Sequence, residues 1–116
     1  MSREAGARAE RQAEEFLKER GLRILARNFR TRFGEIDLVA QDGDTVVFVE
    51  VRSRSSAAFG TPQETVTAAK RRRIIRTAMA YAQSRCLDAS LRFDVVALSP
   101  QGILHIPAAF DATGAA

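Results

Sequence analysis

Two acidic residues stand in neighbouring β-rich runs, Asp37 in GEIDLVAQ and Glu50 in TVVFVEVRS, separated by Asp42-Gly43-Asp44. Gly and Asp supply the positive φ angles of a tight hairpin, so the two runs are predicted to pair. Side chains on a strand alternate with a period of two. Glu35, Asp37, Val39 and Gln41 then share one face, and Ile36, Leu38 and Ala40 the other. Val47, Val49 and Val51 supply the matching apolar face, which leaves Val46, Phe48, Glu50 and Arg52 on the side of Asp37. A Gly43-Asp44 turn sets Asp37 directly across from Glu50, and an Asp42-Gly43 turn makes them diagonal, at about 4.5–5.5 Å or 7–8 Å between Cβ atoms. A three-residue loop would put them on opposite faces.

Facing carboxylates repel unless a proton or cation compensates them. Mg²⁺ favours carboxylate and water oxygens and often takes only one or two carboxylates from a protein. Such an ion activates water and stabilises charge on a phosphate undergoing displacement, which points to phosphodiester hydrolysis. The same spacing also fits a solvated pair, or one bound to Arg52 or another arginine.

A second cluster is basic. Between Arg52 and Arg76 there are seven basic residues and one acid, Glu64, a local excess larger than the +4 of the whole chain. Arg52, Arg54, Lys70, Arg71 and Arg73 are the candidates for phosphate contact, with Lys70 and Arg73 on the helix side away from Ile74 and Ile75. Each phosphate they neutralise releases counterions and adds sequence-independent affinity. Read blandly, the run is a solvated helix face.

The elements that must position these groups follow from periodicity. Ala9, Ala13, Phe16 and Leu17 predict an amphipathic helix over Arg8 to Arg20, stopped at Gly21. RILARNF reads as an edge strand, and the hairpin follows. The Ser53 to Pro62 segment reads as a loop. Ile74, Ile75, Ala78, Met79 and Ala82 predict a second helix over Thr67 to Arg85, which Gln63 and Glu64 are expected to cap. LRFDVVALS and ILHIP complete the order α, β, β, β, α, β, β, a mixed sheet with packed helices. One domain over 1–107 with a fraying tail over 108–116 is expected, because 116 residues do not build a second core.

The apolar share of 46% and charged share of 28% exclude wholesale disorder. No apolar run approaches a membrane span. A lone cysteine, Cys86, and a charged start predict a cytoplasmic protein. Cys86 reads as inert, His105 as structural and Tyr81 as core, and no aromatic row suggests a base-stacking platform.

GEIDLVAQDGDTVVFVEVRSR, with AERQAEEFLKERG before it and FGTPQETVTAAKRRRIIRTAMAY after it, closely resembles the YraN-like family of uncharacterised bacterial proteins, over nearly the whole chain up to Leu98. That family is similar to the restriction-endonuclease-like superfamily and to archaeal Holliday-junction resolvases. The resemblance implies an α/β core, a mixed sheet flanked by helices. It also implies an active site made of an acid on the first helix, an Asp on a strand and Glu-x-Lys on the next. Asp37 matches the Asp and Glu50 the Glu. Glu10 best matches the helical acid, although Ala9 stands where the family usually has Gly, and Glu14, one turn later, competes with it. Arg52 occupies the lysine position. Arginine keeps its proton and cannot act as a general base, but it can hold a phosphate.

The expected function is therefore metal-dependent endonuclease action on structured or branched DNA. Glu10, Asp37 and Glu50 would bind Mg²⁺ or Mn²⁺ while Arg52 and Lys70 hold phosphate. RNA offers the same backbone charges, and a symmetric junction would favour a homodimer. The alternative is a nucleic-acid-binding or scaffold protein of the same fold without turnover, which Arg52 supports. A third reading gives the acidic hairpin to a protein partner.

Overall fold

Helix α1 spans Arg3–Glu19 and buries Ala9, Ala13 and Leu17, an apolar stripe at four-residue spacing. Gly21, at φ 90°, closes it. The Leu22 and Gly21 N–H groups donate to the Leu17 and Lys18 carbonyls at 3.0 and 2.9 Å, an arrangement that needs a left-handed residue between helix and strand.

The computed structural model describes residues 3–54 and 66–112. After α1 come β1 (Arg23–Thr31), β2 (Gly34–Asp42), β3 (Thr45–Ser53), α2 (Ala68–Ser84), β4 (Ser90–Ser99) and β5 (Gly102–Phe110). The strands form one sheet in the order β1-β2-β3-β4-β5. β3 and β4 are parallel and the other pairs antiparallel. A parallel pair needs a long crossover, and α2 lies in it. This is the expected mixed α/β architecture and element order. β5 is longer than ILHIP: Ala108–Phe110 continue the strand, and the Phe110 ring stacks on Phe93 at 5.2 Å.

The hairpin turn is Gly43-Asp44, since Asp42 pairs with Thr45. This is the first of the two registers considered above. Gly43 has φ 59°, a conformation that costs glycine little.

Both faces of the central strands are covered. Leu38, Ala40, Val47, Val49, Val96 and Leu98 pack with α1. Val39, Val46, Phe48, Phe93 and Val95 pack with Ile74, Ile75, Ala78 and Tyr81 of α2. The face shared by Val39, Val46 and Phe48 is thus the second core, because the crossover helix of a parallel pair lies on the sheet.

Ile36 also departs from simple alternation and joins the α2 side with Val39. Opposite them Ala26 and Phe29 pack on that same side. An odd step has been absorbed in both strands at the facing positions Asn28 and Asp37. Asn28 carries it with φ 50°, a left-handed conformation that Asn tolerates better than most residues.

Candidate functional site

The β2–β3 ladder runs from the turn to Leu38↔Val49 and ends there. Continued regularly, alternate bonding would give the Val51 N–H to the backbone of Ile36. Instead the Asp37 carboxylate takes it, with Oδ2 accepting from Val51 N at 2.8 Å. The irregular step in β2 therefore turns Asp37 toward β3. Burial pushes its carboxyl up to about 8, helped by the nearby Glu50 charge and, more weakly, by Glu10 and Glu35; the Val51 N–H opposes the rise.

Glu50, next to the splayed end, is only 6% exposed. Its Oε1 meets the Lys70 ammonium at 2.7 Å and the Arg52 guanidinium at 3.6 Å. Lys70 comes from the first turn of α2, whose cap is Thr67: the Thr67 hydroxyl accepts from the Lys70 N–H at 3.2 Å. The cap is thus not the Gln63-Glu64 pair of the sequence reading, and both of those residues lie outside the described ones.

The two helical acids separate cleanly. Glu14 is consumed by a two-pronged Arg27 contact at 2.6 and 2.8 Å and by Lys18 at 3.0 Å. The Arg27 hydrogen bond holds its carboxyl down near 2 against the effect of burial, with Lys18 adding to the lowering. Glu10 instead accepts from the Asn28 side-chain amide at 2.8 Å, and the same nitrogen reaches Glu35 at 3.1 Å. A cleft of about 330 Å³ opens beside Glu10, Asn28 and Arg27. Glu10 is the acid whose charge reaches Asp37. Glu10→Gln is therefore expected to lower the Asp37 pKa, and Glu14→Gln to leave it in place. Carboxyl-carbon NMR titration reads both, and an equal response to the two substitutions contradicts the assignment.

Among the described residues no three His, Cys, Asp or Glu side chains converge as they would on a metal ion. Asp37 and Glu50 are brought together, and Glu10 is held one layer back by Asn28. Sequence reasoning missed Asn28 and gave Glu35 no role. An Asn inside a strand, a residue that tolerates the left-handed conformation, was the available signal for a kink.

Comparison with known proteins now bears on this site. Residues 9–98 match the model of uncharacterised protein family UPF0102. The chain belongs to the UPF0102 family. It is 46% identical to a UPF0102 protein of Persephonella marina over 107 residues, 91% of this chain and 92% of the relative. It is 52% identical to one of Symbiobacterium thermophilum over 101 residues, 86% of each. A third, from Anaeromyxobacter dehalogenans, is 49% identical over 114 residues, 94% of this chain and 85% of the relative. This is the YraN-like family expected from the motifs, and the matched segment contains Glu10, Asp37, Glu50 and Lys70.

In this UPF0102 chain the basic candidates divide by what they already touch. Arg71 donates to the Val66 carbonyl at 2.9 Å and lies over the Phe110 ring at 5.4 Å, so it fastens α2 to the sheet edge. Arg54 is half-buried, and its N–H donates to the Leu98 carbonyl at 2.8 Å. Arg72, Arg73 and Arg76 are exposed and have no acidic partner among the described residues. No helix among the described residues is long and apolar enough to cross a membrane.

A second charged network, unforeseen from sequence, lies on the α1 side. Asp94 is fully buried and accepts from Arg92 at 2.9 and 3.0 Å and from the Ala108 N–H at 3.0 Å, and it meets His105 Nε2 at 2.8 Å. Arg92 continues to Asp42 at 3.0 Å. His105 is thus structural, as expected, and ties β5 to β4.

Proposed function

We propose that this UPF0102 protein binds structured or branched DNA and hydrolyses its phosphodiester bonds with Mg²⁺ or Mn²⁺ held at Asp37 and Glu50. The observation that carries this reading is the buried Glu50 carboxylate meeting Lys70 at 2.7 Å beside Asp37, where β2 and β3 diverge. Acids suited to an ion and a cation suited to phosphate stand side by side. The donors are carboxylate oxygens, the kind Mg²⁺ takes one or two at a time with water completing its shell. A bound ion supplies a polarised water and charge stabilisation on the phosphate.

The chain's own residues do the rest. Asp37 and Glu50 hold the ion, and Glu10, fixed by Asn28, adds negative charge behind them. Lys70 brings an ammonium to Glu50 from α2, and Arg52, which keeps its proton, serves as a permanent phosphate clamp. Arg73, with no acidic partner among the described residues and one turn along α2, extends the phosphate track. RNA carries the same backbone charges, and a symmetric junction would engage two copies.

A second reading, binding without turnover, is favoured by one fact: Lys70 and Arg52 both approach the same oxygen of Glu50, which leaves that carboxylate already neutralised. Incubation of plasmid, flap and four-way-junction DNA with Mg²⁺ or Mn²⁺ separates the two. The first reading expects cutting that falls to background in Asp37→Ala and Glu50→Ala. It expects a loss of about 100-fold in Lys70→Met, the scale of removing one charge-stabilising donor, and little change in Arg52→Lys. Salt-sensitive binding with no cutting of any substrate overturns it in favour of the second.

A further inference from the structure

The β1–β2 turn leans on α2. A Cβ built at Gly34 would meet the Arg73 side chain and the Thr77 hydroxyl at 3.5 Å, ordinary packing distance, so the turn lies against the helix. This places Phe33, whose ring carries the Arg32 guanidinium at 5.0 Å, beside α2. Between them lies a cavity of about 570 Å³ whose walls include Phe33, Met79, Ala80, Arg76 and Gln83. Met79 is 42% exposed there, an apolar side chain left to solvent just beyond the basic first half of α2.

The surroundings say what fits. The walls are an aromatic ring, a polarisable thioether and small aliphatic groups, which suit a flat apolar ligand. Gln83 offers both donors and an acceptor to the edge of such a ligand. Arg76 lines the cavity and Arg72 and Arg73 precede it on α2; none of the three has an acid to pair with among the described residues, so this end of the cavity favours an anion. A flat, hydrogen-bonding ring attached to phosphates is a nucleotide. We infer that the Phe33–Gln83 cavity receives one unstacked nucleobase of a single strand whose phosphates follow Lys70, Arg73 and Arg76. At about 1.5 Å per residue, α2 sets Arg76 about 9 Å and Gln83 about 20 Å beyond Lys70. The captured base therefore lies a few nucleotides from the phosphate at the acidic site. Duplex DNA keeps its bases stacked and cannot supply one, so the protein prefers substrates with an unpaired stretch next to the contact.

The inference rests on the nucleic-acid reading above, and its test separates the two. Binding of a plain duplex and of the same duplex with a short single-stranded flap is followed by anisotropy. In parallel, 2-aminopurine is placed at successive flap positions to report unstacking. The expected result is tighter binding of the flap and a fluorescence rise at one flap position. Phe33→Ala and Gln83→Ala, the latter on an exposed residue that leaves the core untouched, weaken flap binding about 10-fold, the low end of a lost base–aromatic contact, and spare the duplex. Equal binding of the two DNAs, or variants that affect both alike, overturns the cavity's role while leaving DNA binding standing. A change of oligomeric state in either variant assigns the cavity to a second copy and also overturns it. Absence of any DNA binding removes the wider reading with it.

Discussion

Asp94→Ala is expected to destabilise the fold by roughly 3–5 kcal/mol, the cost of removing one partner from a buried charge pair. Asp94 is 0% exposed and serves three groups on two strands at once: Arg92 on its own strand, and His105 and the Ala108 N–H on β5. Without it a buried imidazole and a backbone N–H lose a partner, and the Arg92 guanidinium is left with Asp42 alone of its two carboxylates. Thermal unfolding should shift down by at least about 10 °C. The pH dependence follows with a definite sign. Burial pushes the Asp94 carboxyl up, but His105, Arg92 and the Ala108 N–H outweigh it and hold the group below its ordinary 3.8. Its stabilisation is therefore complete above the ordinary carboxylate range and disappears as pH falls through the depressed value. Asp94→Asn is expected to flatten the acid limb of a Tm-against-pH curve. A variant as stable as the parent at neutral pH would show that the network contributes nothing.

The hairpin and its register were legible because a Gly-Asp turn between two β-rich runs leaves few ways to pair them, and parity then placed Asp37 and Glu50 together. Legibility stopped where alternation did. Ile36 was read onto the face of Leu38 and Ala40 and lies on the opposite one, because Asn28 and Asp37 absorb an odd step that no hydrophobic pattern encodes. The apparent polar face was read as a site surface, yet Val39, Val46 and Phe48 on it are core; alternation gives a face its parity but not what will cover it. Lys70 was read as a phosphate ligand on a basic helix. Its contact with Glu50 depends on how the crossover returns α2 to β3, which is tertiary geometry. Asp94 and His105 showed no pairing signal because they meet only through the β4–β5 register.

Asp37→Asn is expected to act in the opposite direction from Asp94. A carboxyl held up to about 8 in the fold and near 3.8 in the unfolded chain costs stability progressively as pH rises between those values. Asparagine keeps the bond to the Val51 N–H and removes that penalty. The variant should unfold several degrees higher than the parent at neutral and mildly alkaline pH, with the gap closing toward pH 4. Stability gained by losing a carboxylate is the pattern of a group kept for function. An unchanged or lowered Tm would indicate that Asp37 is an ordinary structural acceptor.

Stoichiometric Mn²⁺ titration, followed by the EPR signal of the free ion, asks whether these two carboxylates form one cation site. It is best run above the Asp37 pKa of about 8, where the Asp37 carboxyl is ionised. One ion per chain in the parent, and none in folded Asp37→Asn or Glu50→Gln, is the predicted result. A parent protein that takes up no Mn²⁺, or variants that take up as much as the parent, would contradict it.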